Sequence, residues 1–285
     1  MISWIAVLVA AFVASSLAAN TTTSLRIMPL GASVTFGVGS TTGDSYRKDL
    51  RDLLVQAGYQ VNLVGQQKHG SFADNAVEAT PGFVISQIAA SAHTATPAFL
   101  PNLVLVDAGT NNCNKGGLVP DAGANVSAMI DDIFKLSPGT TVVLATVLAN
   151  KIAEQDACRV DVNKQYEALA ADFAKKNAKF VLVDMRGPDG PTTSDLFDTR
   201  HPNDRGYEKM AAVWFQGIET AKNRGFITAP ASNGIPLNAT GKSGPGGSAF
   251  AAHMSGADGP LSASISLRLL GAMGGILSVM LAFPF

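Results

Sequence analysis

The chain has 285 residues, a formal net charge of −1, 47% hydrophobic residues and 15% charged ones. That length admits one large domain or two small ones. A charge so close to zero, with no basic cluster, argues against a nucleic-acid partner.

The apolar run 2–19 ends in small residues, with Ser16 and Ala18 in the small-x-small pattern of a cleavage site. Residues 1–19 therefore read as a signal peptide, with a transmembrane anchor as the alternative. The first strand is expected over 26–30 and runs into Gly31-Ala32-Ser33. Leu50, Leu53 and Leu54 at helical spacing predict a helix over 46–57, stopped by Gly58 as a C-terminal cap. Residues 61–64 read as a second strand and 83–91 as a helix.

The nearly continuous apolar run 103–108 fits a strand covered on both faces. An amphipathic helix follows over 124–136 and ends in the turn Ser137-Pro138-Gly139. Further strands are expected over 141–147 and 180–184, and further helices over 160–177 and 204–223. Strands alternate with helices and no internal repeat is visible, so the chemistry of the pattern is α/β, with helices on both faces of a parallel sheet. The folded domain is expected over 24–230.

Residues 231–260 are rich in Gly, Ser, Ala and Pro and read as a flexible linker. Residues 261–285 hold a spacer and an apolar tail that is uncharged from Leu269 to Phe285. With Ser255, Gly256 and Ala257 as small attachment residues, this is the layout of a glycosylphosphatidylinositol signal. A retained C-terminal membrane helix and a weakly structured tail are the alternatives. Both ends point to an extracellular protein that touches the membrane only through a C-terminal anchor.

Cysteine usage agrees with that compartment. Cys113 and Cys158 are the only two and both fall in the domain. An isolated pair in an oxidising compartment forms a disulfide, the alternative being two buried thiols. Asn20, Asn125 and Asn238 stand in Asn-x-Ser/Thr sequons and are expected to carry glycans on secretion.

In parallel sheets, chemistry gathers at the carboxyl ends of the strands. Four residues are expected there or in loops that join them. Ser33 follows the first strand, Gly82 lies in the loop after the second, and Asn111 follows the third in Gly109-Thr110-Asn111-Asn112. His201 sits in Asp198-Thr199-Arg200-His201-Pro202 ahead of the last helix. Each alone has an ordinary structural reading: a helix cap for the serine, a Pro-Gly turn, a turn asparagine, and a turn aspartate beside a surface histidine. Together they supply a nucleophile, a base, an acid that orients the base and three donors for an oxyanion, namely the amides of Ser33 and Gly82 and the side chain of Asn111.

These blocks, in this order, resemble the SGNH (GDSL-like) hydrolase superfamily, whose four named residues correspond to Ser33, Gly82, Asn111 and His201. Asp198-x-x-His201-Pro202 matches its last block. Leu25 to Gly31, Tyr46 to Leu50 and Asp74-Asn75 are similar to carbohydrate esterase family 3 and its fungal relatives. The resemblance implies a three-layer α/β/α sandwich with a flavodoxin-like parallel sheet. It implies hydrolysis of O-acyl esters, in several relatives the acetyl esters of xylan, with no metal in catalysis and an acylated carbohydrate or other small ester as partner. A lysophospholipase or lipase of the same superfamily is one alternative. A non-catalytic surface protein that binds glycans on a decayed hydrolase scaffold is another. The chain departs from the family in two places. Ala32 stands where the first block usually has an Asp that helps hold the site through hydrogen bonds. The stretch Val77 to Phe83 lacks the His and Trp that the related esterases tend to carry around the second-block glycine.

Overall fold

The computed structural model describes residues 23–114 and 117–237. The expected signal peptide, the linker beyond 237, the C-terminal tail and the sequons at Asn20 and Asn238 lie outside the described residues.

Strand β1 (Ser24–Gly31) is the centre of the molecule. Its alternate side chains enter two separate cores because both faces of the sheet are covered. Ile27, Leu103 and Leu105 face a core shared with Leu50, Leu54, Met210 and Trp214. Met28, Leu30, Val104 and Val106 face another, shared with Ile88, Ile130, Val162 and Phe173. One layer is thus α2 (Ser45–Gln56) with α6 (Asp204–Asn223). The other is α3 (Ile85–Phe99), α4 (Ala122–Leu136) and α5 (Ala153–Lys175).

The remaining strands are β2 (Gln60–Leu63), β3 (Gln67–Lys68), β4 (Ala76–Ala79), β5 (Leu103–Asp107), β6 (Thr141–Ala145) and β7 (Phe180–Val183). The order is β3-β4-β1-β5-β6-β7, with β2 also pairing β1. Strands β2 and β4 share one edge of β1: Ser24 to Ile27 pair with Gln60 to Leu63, and Leu30 and Gly31 pair with Glu78 and Ala79. All pairs are parallel except β3 with β4. This is the expected three-layer α/β/α sandwich.

Three differences from the sequence reading have physical causes. The β3–β4 hairpin was not expected, since β3 is two residues long and β4 carries Glu78, a buried carboxylate among small apolar residues. Helix α3 continues to Phe99 through Pro97, and α5 begins at Ala153 rather than 160, where polar residues obscure the apolar spacing. Residues 231–237, expected as the start of the linker, are tied to the domain. Buried Arg26 donates to the carbonyls of Ala231 (2.9 Å) and Ile235 (3.1 Å), and Asn62 donates to that of Pro236 (2.7 Å). Hydrogen bonds from Arg26 and Asn62, with Ile235 packed against the core, hold this segment to the domain.

Candidate active site

Ser33 is placed by backbone. Strand β1 ends at Gly31, and the chain turns through Ala32 into the single-turn helix α1 (Ser33–Phe36). The turn closes on Gly37, whose N–H donates to the Ser33 carbonyl at 2.9 Å. Buried Arg47, near the start of α2, then stitches this region together. Its guanidinium donates to the carbonyls of Thr35 (3.1 Å), Gly43 (3.0 Å), His69 (2.8 Å) and Asn75 (3.1 Å). The charged head of Arg47 thus serves as a fork for loop carbonyls that no strand or helix satisfies.

The histidine comes from a loop pinned at its base. Leu196 and Pro202 form an isolated antiparallel bridge, and the Phe197 N–H donates to the His201 carbonyl at 2.8 Å. Below them Asp195 accepts from Lys209 at 2.7 Å. Inside the loop, one oxygen of Asp198 accepts from the N–H groups of Arg200 and His201, each at 2.8 Å. Its other oxygen lies 2.7 Å from His201 Nδ1. Burial works against charge on Asp198, but these hydrogen bonds outweigh it and bring the carboxyl down to about 2. With Nδ1–H directed at a carboxylate, His201 Nε2 is left as an acceptor. It lies 2.9 Å from Ser33 Oγ. The sequence-predicted Ser33, His201 and Asp198 therefore form one hydrogen-bonded chain across residues far apart in sequence.

The other two predicted residues are tied to one another. Gly82 has φ +89°, a left-handed conformation that favours glycine, and a Cβ built there would meet nothing within 4 Å. Backbone shape, not packing, calls for glycine. Asn111 lies in the 3₁₀ turn Thr110–Cys113, entered through Gly109 at φ +107°. Its Nδ2 donates to the Phe83 carbonyl at 2.9 Å, and its Oδ1 accepts from Asn114 at 2.8 Å. These contacts fix which way the amide points and leave one N–H of Nδ2 uncommitted. Phe83, Gly109 and Thr110 border the same recess as Ser33, which brings the Gly82 and Asn111 loops to the nucleophile's side of the sheet.

One of two further links was not anticipated. Arg200 donates to the Asn114 side chain at 2.8 Å, so the histidine loop and the Asn111 turn are joined through Asn114. Cys113 is bridged to Cys158 of α5, as the isolated pair suggested, and anchors the same turn. The sequon Asn125 is exposed on α4. Among the described residues, no three His, Cys, Asp or Glu side chains gather as a metal site would require. The arrangement can do acyl transfer: a hydroxyl with a base on one side, and amide donors free to face a developing oxyanion.

Known proteins place the chain in a family. Residues 30–209 match the model of the GDSL-like Lipase/Acylhydrolase family. A multidomain esterase of Ruminococcus flavefaciens is 26% identical over 225 residues, covering 69% of this chain and 28% of the relative. The chain thus spans well under two thirds of that esterase. The solved structure of a Clostridium thermocellum family 3 carbohydrate esterase is 26% identical, with a TM-score of 0.61, covering 70% of this chain and 98% of that one. A family 3 carbohydrate esterase from Talaromyces cellulolyticus shares the fold at 22% identity, with a TM-score of 0.61 and coverage of 70% and 99%. With most of the domain inside the family match, this chain belongs to the GDSL-like lipase/acylhydrolase family, a family of carboxylic ester hydrolases.

Proposed function

We propose that the protein is a serine esterase that removes O-acyl groups, above all O-acetyl groups, from carbohydrates. The observation that carries this reading is the unbroken chain from Ser33 Oγ through His201 to Asp198. His201 Nε2 takes the proton from Ser33 as Oγ attacks the ester carbonyl, and Asp198 steadies the imidazolium that forms. The amides of Ser33 and Gly82 and the free N–H of Asn111 Nδ2 donate to the oxyanion. The alcohol departs with the proton from His201, and water then attacks the acyl-enzyme with His201 again as base. No metal takes part in this scheme.

The carbohydrate assignment is supported by the similarity to the C. thermocellum family 3 carbohydrate esterase. A decayed binding scaffold would have no need of a complete hydroxyl–imidazole–carboxylate chain. The disulfide fits an oxidising compartment, so the proposal places the enzyme outside the cell. A panel of p-nitrophenyl esters from acetate to dodecanoate, with acetylated xylan beside it, tests the reading. Activity is expected to fall with acyl length, and acetate release from xylan is expected to vanish in Ser33→Ala. A preference for the long esters would contradict it.

A further inference from the structure

One buried carboxyl near the nucleophile has no part in that mechanism. Asp107 ends β5 and pairs in register with Gly31, so it stands beside the turn that carries Ala32 and Ser33. It is buried, at 5% exposure, yet accepts only one hydrogen bond, from Thr35 Oγ1 at 3.3 Å. Thr35 Oγ1 is in turn 3.4 Å from the Tyr46 hydroxyl. Both distances are long for hydroxyl donors. A carboxylate in such a place is expected to find more partners than this.

The rest of its surroundings explains where they lie. Ala32, Ser33, Phe83, Asp107, Gly109 and Thr110 border one cavity of about 10 Å³. That is close to the space of one water molecule. Ala32 contributes no more than a methyl group to the cavity wall. Two helical turns start on its walls, α1 at Ser33 and the 3₁₀ turn at Thr110. The first N–H groups of such turns have no partner within the turn. The ionisable groups that face Asp107 are Tyr46 from α2, Arg159 and Tyr166 from α5, and Tyr207 from α6. Burial pushes all three tyrosines up, so Arg159 is the only charged one. Arg159 is fully buried, and its Nε and Nη2 have no hydrogen-bond partner among the described residues. Asp107 therefore sits beside one hydroxyl donor and one cation, which oppose but do not overcome the effect of its burial.

We propose that Asp107 is a positioning residue for ester hydrolysis: its carboxylate, through one water held in the cavity, fixes the Ser33 turn against the Thr110 turn that carries Asn111. The assignment rests on the proposed role of Ser33. Ala32 and Asp107 then form a unit in which the acid that aligns the nucleophile's turn reaches it from the neighbouring strand. Protonation of Asp107 turns one of its oxygens from acceptor to donor and so changes how the water holds the two turns. Burial raises this carboxyl to about 6, with Thr35 and Arg159 opposing, so the change falls within the working range of an extracellular esterase.

The test is the pH dependence of kcat and KM for p-nitrophenyl acetate in wild type, Asp107→Asn, Thr35→Val and Ser33→Ala. Wild type is expected to lose kcat/KM on the acid side as a two-proton limb, one of the two protons being taken up by Asp107. Asp107→Asn should reduce this to one proton and lower kcat about tenfold with KM unchanged, less than the hundredfold that follows when a reacting group is misplaced by an ångström. Thr35→Val removes a donor to the carboxylate and should move the second ionisation to higher pH. It keeps the idea testable should Asp107→Asn fail to fold. A one-proton wild-type limb, or Asp107→Asn with wild-type kcat, overturns the assignment. Turnover in Ser33→Ala overturns the esterase mechanism itself, so the two failures are told apart.

Discussion

Two carboxylates stand near Ser33, and their surroundings drive them in opposite directions. Asp198 lies on a loop that solvent reaches, yet it collects hydrogen bonds from the Arg200 and His201 N–H groups and from the imidazole, and it is held at about 2. Asp107 lies inside the sheet with one long hydrogen bond from Thr35 and rises to about 6. Desolvation acts on both; the number of donors decides the outcome. The exposed acid is committed to charge in order to orient His201. The buried one is left near its point of titration.

Substitutions at the site measure how far the two differ. Asp198→Asn should be the most damaging of them: it keeps the shape of the loop but disturbs the imidazole tautomer, at a cost of about 10⁴ in kcat. A loss as small as that of Asp107→Asn would erase the contrast between the two acids. Asn111→Ala should cost about 3 kcal/mol of transition-state stabilisation, roughly a hundred- to a thousandfold in kcat, without unfolding the protein. Steady-state kinetics beside circular dichroism checks both.

Stability against pH sharpens the comparison at smaller scale. The unfolded value for both groups is about 3.9. Asp198 is depressed in the fold, so its stabilising contribution is present above that value and is lost as pH falls through about 2. Asp107 is raised, so its contribution has the opposite sense: stability is highest below the unfolded value and declines as pH climbs through about 6. The decline is on the order of 1–3 kcal/mol. Urea melts of Asp107→Asn between about pH 4 and 8 should lack it. Parallel curves for wild type and variant would contradict the raised value.

Much of the catalytic constellation was legible because it lies in short local blocks. Asp198 and His201 are three residues apart, and Asn111 follows directly on a strand that its apolar run marks out. The central strands were readable for the same reason: a strand buried on both faces has no polar side chains to disguise it, as in 103–106 and 142–145. The rest depends on contacts between distant segments. Nothing local tells that Arg47 and Arg159 point inward, that Arg26 holds 231–237, or that Arg200 reaches Asn114. Asp107 was visible as a charge at the end of an apolar strand, but it reads as a strand terminus until the register places it beside Gly31. The β3–β4 hairpin had no signal of its own, since strands this short take their stability from β1.

The central claim is that His201 and Asp198 make Ser33 a nucleophile toward esters. Its most direct test is the reaction of the folded protein with a fluorophosphonate probe, read by peptide mass mapping and by acetyl-ester turnover in the same sample. The account predicts one adduct, on Ser33, with activity lost in proportion to labelling, and neither adduct nor turnover in Ser33→Ala. An unlabelled Ser33 in folded protein that still hydrolyses acetyl esters would contradict it.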